Sequence, residues 1–275
     1  MNKIDLSNLS ILIPVRLDSL DRLENLMCVV DSIMSYCDTN VFILHADSGR
    51  RKYLEKLINP KCEYIFTADV DPVFHRTFYI NQLFEKTNTE VIAIWDADVI
   101  ISPSQLQQAL RKISEGHYDV CFPYDGTFLN VDNILKQLFY ELSYDIDFLL
   151  RNTAKMTALY KNVQNGGALL ISRNAFINSG MEDESFYGWG PEDWNRVEKW
   201  KILGYRIGRV GGPLFHLHHS RDINGNFRSL FQRKNSTRIL NTTRLASPQM
   251  LSKRPACTPS SPNDGGKSII DLFEF

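Results

Sequence analysis

The chain has no long hydrophobic run. Its first apolar stretch, residues 11–15, is far shorter than the roughly 20 residues of a membrane-spanning helix, and the polar start Met1-Asn2-Lys3-Ile4-Asp5 is unlike a secretory leader. Net charge is also lacking, because 31 Lys and Arg stand against 32 Asp and Glu. No overall positive field therefore draws in a nucleic-acid backbone, and an anionic ligand has to be held by local groups. Cysteines are few. Cys28, Cys37, Cys62, Cys121 and Cys257 are odd in number and have no metal-ligand spacing, which argues against a disulfide framework and fits reduced thiols in a cytosolic protein. Nor is there an internal repeat.

What is present suffices for a large core, with 43% hydrophobic and 11% aromatic residues in a chain of 275. Short apolar runs alternate with helical patterns. Residues 9–15 read as a strand, the spacing of Leu23, Leu26, Met27, Val30, Ile33 and Met34 as a helix, and residues 41–45 as the next strand. A second cycle follows: a strand at 63–66, a helix at 76–86, and Val91–Trp95, apolar on both faces. This predicts an α/β fold with a parallel, nucleotide-binding kind of sheet. Ser102-Pro103-Ser104-Gln105 predicts a helix start with Gln105 closing a capping box on Ser102, which leaves residues 96–102 as a strand-to-helix loop. Beyond it the pattern predicts a strand near 119–123, a helical region over about 131–160 and a buried strand at Ala168–Ser172. A helix at 191–203 stopped by Gly204 and a strand at 205–210 follow. Pro248, Pro255, Pro259 and Pro262 mark an irregular arm over about 246–268, after which residues 269–273 could dock back as a strand.

Several clusters carry chemistry. Asp96-Ala97-Asp98 follows the most buried strand, at the end where open α/β sheets bind ligands. Two carboxylates there need a counter-charge, and a divalent cation bridging phosphate oxygens supplies one, with Mg²⁺ or Mn²⁺ suited to oxygen ligands. Aspartates also cap turns, so these three residues alone decide nothing. His216-Leu217-His218-His219 gathers three of the six histidines in four positions. Nitrogen beside carboxylate favours Mn²⁺, an all-histidine set would suit Zn²⁺, and His218 faces away from at least one of its neighbours. In Pro191-Glu192-Asp193 both acids fall in the first turn of a helix, where they complement its dipole and stay ionised. An ionised carboxylate in that place can also take a proton from an attacking sugar hydroxyl. Trp189, between Gly188 and Gly190, has room to present a flat apolar face to a sugar ring. Arg16 after the first strand, Asp47 after the second and Arg76 at a helix start suit a nucleotide diphosphate, although ordinary surface roles serve for each.

Taken in order over roughly residues 10–225, these pieces resemble the beta-1,4-galactosyltransferase family within the inverting GT-A glycosyltransferases. Phe74-His75-Arg76-Thr77 with Asn81 is similar to the family's Phe-Asn-Arg-Ala segment, and Asp96-Ala97-Asp98 to its Asp-Val-Asp. Gly166-Gly167 with Ser172 and Phe176 matches its Gly-Gly-Val-Ser stretch, and Gly188-Trp189-Gly190-Pro191-Glu192-Asp193 its Gly-Trp-Gly-Gly-Glu-Asp. His219-Ser220-Arg221-Asp222 repeats its His-Ser-Arg-Asp. There are departures: His216 stands where the animal enzymes have methionine, Gln164-Asn165 replace an aromatic pair, and Trp194 replaces an acid.

The resemblance implies a GT-A α/β fold with a mixed, mainly parallel sheet. Residues 1–245 would form the glycosyltransferase domain, with a donor half at 1–101 and an acceptor half at 102–245, and residues 246–275 the C-terminal arm. It implies Asp98, His216 and His219 as ligands of Mn²⁺, with Mg²⁺ as the alternative, and Asp193 as the catalytic base. Pro14, Arg16, Asp47, Arg76, Asp96, Ala97 and Gly167 would meet the UDP-sugar donor, and Trp189 and Glu192 the acceptor. The implied reaction moves a hexose or N-acetylhexosamine, galactose first, to an oligosaccharide or lipid-linked glycan in surface-polysaccharide synthesis. The implied setting is a bacterial cytoplasm, at the inner face of the membrane. Alternatives are an N-acetylgalactosaminyl- or glucuronyl-transferring relative of chondroitin polymerases, a non-catalytic nucleotide-sugar or carbohydrate-binding protein, and a two-metal phosphoesterase. Residues 124–163 match no family motif and are expected to shape the acceptor pocket.

Overall fold

A computed structural model describes residues 3–220 and 225–252. Arg221, Asp222, Cys257 and the strand expected at 269–273 lie outside the described residues. The first strand, β1 (Ile4–Val15), is buried without interruption from Leu9 onward. Helix α1 (Leu20–Tyr36) starts at Ser19, whose hydroxyl accepts from the Arg22 N–H, and it buries Leu26, Val29, Val30 and Ile33, the three- and four-residue spacing of one helical face. β2 (Cys37–Asp47), the short α2 (Lys52–Glu55), β3 (Glu63–Ala68), α3 (Arg76–Phe84) and β4 (Val91–Trp95) complete the first half.

Next come β5 (Val99–Ile100), α4 (Pro103–Ser114), β6 (Val120–Phe122) and β7 (Phe128–Val131). α5 (Asn133–Glu141), α6 (Ile146–Arg151), β8 (Thr157–Ala158), β9 (Ala168–Ser172) and α7 (Arg173–Asn178) follow. α8 (Glu192–Ile202), β10 (Ile207–Arg209), β11 (Leu214–Leu217), α9 (Leu230–Arg244) and α10 (Pro248–Ser252) close the described chain.

Seven strands form one sheet in the order β10-β6-β9-β4-β1-β2-β3. β9 runs antiparallel to β4 and β6, and the remaining pairs are parallel. This is the mixed, mainly parallel α/β sheet of the GT-A type. β4, at its centre, is buried at all five positions, so a strand covered on both faces carries no alternation. α4 buries Leu106, Ala109, Leu110 and Ile113, and each of the larger side chains contributes about 1.5–3 kcal/mol by leaving water. The order reverses between β1 and β4: β2 and β3 lie beyond β1, while later strands lie beyond β4. At such a point the chain leaves the carboxyl ends of adjacent strands in opposite directions and opens a crevice.

A second sheet, β5-β11-β7-β8, is built from strands of two to four residues, and β8 with the last residue of β7 falls in the region read from sequence as helical over 131–160. That region is instead broken into α5, α6 and β8, with Ser143 and Tyr144 between the helices at positive φ. The expected capping box is also absent. Ser102 makes no side-chain cap, and the Gln105 amide donates to the carbonyls of Pro123 and Pro213, because a nearly buried amide finds its partners across the core. The arm expected as irregular from 246 begins with the short helix α10.

Candidate active site

The reversal between β1 and β4 positions a cleft of about 610 Å³, lined by Pro14 and Arg16 from the end of β1 and by Asp96, Ala97 and Asp98 from the end of β4. Across it stand Gly166, Gly167 and the segment 189–194, with His216 and His219 on the same wall system. Of the sequence-derived candidates, all but Asp47 line this cleft. Asp47 ends β2, where its carboxylate accepts from the Ser48 N–H at 2.7 Å and pairs with Arg51 at 3.4 Å.

A two-residue strand assembles one corner. β5 pairs antiparallel with β11 so that His216 stands opposite Val99, and the Leu217 N–H donates to the Asp98 carbonyl at 2.8 Å. This register brings the Asp98 carboxylate to His219 Nε2 at 3.0 Å and to His216 Nε2 at 3.9 Å. The other His219 nitrogen faces the Ser220 carbonyl at 2.9 Å, which fixes the ring with Nε2 toward Asp98. Burial alone would raise the Asp98 carboxyl, but the charge of His216 and the hydrogen bond from His219 hold it down at about 2. The same hydrogen bond raises His219 against its own burial. One donor atom from each of the three residues lies within 4.8 Å of the others. Two imidazoles and a carboxylate at this spacing fit a borderline divalent ion, so Asp98, His216 and His219 make a candidate cation site. His218 points outward and takes no part in it.

The second corner is the start of α8. Arg196, one turn after Asp193, places its guanidinium 3.0 Å from Asp193 Oδ1 and pairs with buried Glu182 at 2.9 Å. Arg76, opening α3, reaches Asp96 at 2.5 Å and Asp193 Oδ1 at 3.7 Å. Burial opposes the Arg76 charge, yet Asp96, Asp193 and Glu192 around it raise its pKa further. Oδ1 of Asp193 is shut away between the arginines while the side chain is 28% exposed, so Oδ2 is the oxygen facing the cleft. Gly166 makes that placement fit: a Cβ there would stand 2.5 Å from Oδ2. Gly167 is held at φ +79, and a Cβ on it would meet Leu214 at 2.6 Å, so the turn after the double glycine has room for no side chain.

Glu192 departs from the sequence expectation. Its place in the first helical turn was expected to keep it ionised, but burial and the neighbouring Asp193 push its carboxyl up to about 8, more than the helix dipole and the two arginines offset. Burial thus favours its protonated form well above the usual carboxylate range. Burial likewise raises Asp96, with Arg76 pulling it down and Asp98 and Asp193 pushing it up. Trp189 is 43% exposed and meets Phe227 edge-on at 4.7 Å. The Arg16 guanidinium bonds the carbonyls of Ala46 and Asp71 and pairs with Asp69, which ties the end of β1 to the loop after β3.

Several supporting residues escaped sequence reasoning. The Arg196 link had a signal, since three residues after Asp193 on an expected helix is one turn. Glu182 had none. Neither did buried Asn25 and Lys136, from α1 and α5, which donate to the carbonyls of Leu217 and His218 and anchor the segment carrying His219.

Among the described residues no helix is long and apolar enough to cross a membrane. No curated protein matches the chain. A family model described as glycosyltransferase like family 2 matches residues 10–233, most of the sequence and every residue of the cleft named above. The chain belongs to that family of glycosyltransferases.

Proposed function

We propose that this protein is an inverting glycosyltransferase of the beta-1,4-galactosyltransferase kind, using a divalent cation, Mn²⁺ before Mg²⁺, and a UDP-sugar donor. The sugar moved is a hexose or N-acetylhexosamine, with galactose the first choice, and the acceptor is an oligosaccharide or lipid-linked glycan of surface-polysaccharide synthesis. The observation that carries this reading is the placement of the Asp98, His216 and His219 donor atoms and the Asp193 carboxylate on one cleft.

In this reading Asp193 Oδ2 accepts the proton of the acceptor hydroxyl as that hydroxyl attacks the anomeric carbon from the side opposite the departing nucleotide. Arg196 and Arg76 grip Oδ1 and fix the direction in which Oδ2 points. Glu192, in the protonated form that its burial favours, donates a hydrogen bond to a sugar oxygen, and exposed Trp189 gives the sugar ring an apolar face. Asp98, His216 and His219 would hold the cation, which when bound supplies positive charge to the diphosphate leaving group. Arg76 and the end of β1 line the side of the cleft assigned to the donor.

Thermal unfolding with a panel of UDP-sugars, with and without Mn²⁺, tests the donor class, since a ligand at 100 times its Kd adds about 2.7 kcal/mol of stability. One UDP-sugar is expected to raise the midpoint only with Mn²⁺ present, and a glycan acceptor to trigger UDP release. Binding with no release for any acceptor would instead mark a non-catalytic sugar-nucleotide binder.

A further inference from the structure

We infer that the outer face of α9 docks the protein on an anionic phospholipid bilayer. Between Asp222 and Asp264 the sequence has no Asp or Glu, but it has Arg228, Arg233, Lys234, Arg238, Arg244, Lys253 and Arg254. Seven positive charges fall there in a chain whose total is −1, so the remainder carries −8. The asymmetry is local and strong, and the net charge hides it.

The helix displays this charge together with apolar groups. Ser236, Leu240 and Thr243 form its buried side. At 100° per residue, Phe231, Lys234, Arg238, Thr242 and Leu245 share the opposite side, with Leu230 beside them. Leu230, Phe231 and Leu245 are 75%, 80% and 87% exposed, and Met250 on α10 is also exposed. Among the described residues no carboxylate pairs with Arg233, Lys234, Arg238 or Arg244. Exposed large apolar side chains interspersed with cations on one helical face are the surface that lies in a headgroup layer, with the apolar groups reaching the acyl boundary and the cations meeting lipid phosphates. A nucleic acid would use the charge but leave the apolar groups in water. A second copy packed by two-fold symmetry would set the same cations against each other.

The location gives the docking a purpose. Arg233, Thr237 and Leu240 of α9 also line the cleft, and Gln232 donates to the carbonyls of Tyr187 and Trp189, so α9 is joined directly to the acceptor side of the site. Docking does not depend on the glycosyl-transfer reading, because its test measures lipid and not turnover.

The full chain is sedimented with vesicles of equimolar phosphatidylglycerol and phosphatidylcholine and with vesicles of phosphatidylcholine alone. Binding is expected to the first and not the second, and to weaken as salt shortens the screening length from about 10 Å to about 3 Å. Lys234→Glu with Arg238→Glu should lower the partition at least ~30-fold, and Phe231→Ser about 10-fold. Both variants should keep the wild-type thermal midpoint and UDP affinity, since the side chains are exposed. Equal binding to both vesicles, vesicle binding unchanged in the variants, or binding only to a single-stranded oligonucleotide would overturn the proposal.

Discussion

The parallel half of the large sheet and the small four-stranded sheet with the start of α8 differ in regularity and in what they lend to the cleft. β1, β2 and β4 are long or fully buried strands, β3 is shorter and half-buried, and the hydrophobic pattern marks all four while missing the first residues of β1 and β2; together they supply the crevice itself. Two of the charged residues there, Arg16 and Asp47, are committed to neighbouring backbone and side chains. The small sheet has strands too short to leave a period, yet its β5–β11 pairing brings Asp98 to His216 and His219. Periodic elements make the scaffold, and short elements pinned by polar contacts place the chemistry.

Substitutions on either side of this divide should separate. The largest effect is expected at Asp193: Asp193→Asn should cut sugar transfer by at least ~100-fold, the range for a lost general base, with the fold intact by circular dichroism. Next is Gly166→Ala. Its φ suits alanine, but the new Cβ must push the Asp193 carboxylate aside, so transfer should fall by about 10-fold to 100-fold with little change in thermal midpoint. Wild-type transfer in this variant would break the claim that Oδ2 is the working oxygen.

Glu192 gives a pH signature. Its folded carboxyl is raised from 4.5 to about 8, so the folded chain holds a proton that the unfolded chain has released over that window. Stability from neutral Glu192 is complete below about pH 4.5 and declines as pH rises toward about 8. Glu192→Gln removes the titration. Chemical denaturation should find the variant gaining on wild type by on the order of 2–4 kcal/mol between about pH 5 and pH 8. A constant difference would place Glu192 in water. The smallest effect belongs to the regular half, where Asp47→Ala should change transfer by no more than about 3-fold, because surface substitutions away from a site cost little. A larger loss would assign Asp47 to the donor after all.

Legibility followed the same divide. β4 and β9 occupy the stretches expected from apolar runs, and the order of Asp98, Asp193 and His219 along the chain pointed to a shared site before any contact was known. The region 131–160 misled because α5, α6 and β8 are each short, and α5 is broken from α6 by Ser143 and Tyr144 at positive φ, which no hydrophobic spacing records. The upward shift of the Glu192 carboxyl was illegible for a different reason. Sequence reveals the helix dipole but not the burial that outweighs it.

Asp98, His216 and His219 are proposed as one cation site, separate in role from Asp193 on the same cleft. Titration calorimetry of Mn²⁺ into wild type, His219→Ala and Asp193→Asn tests it most directly. One ion per chain is expected for wild type, the same affinity within about 3-fold for Asp193→Asn, and a loss of at least ~100-fold for His219→Ala, which removes a ligand outright. Two ions per chain, or affinity lost in Asp193→Asn and kept in His219→Ala, would contradict it.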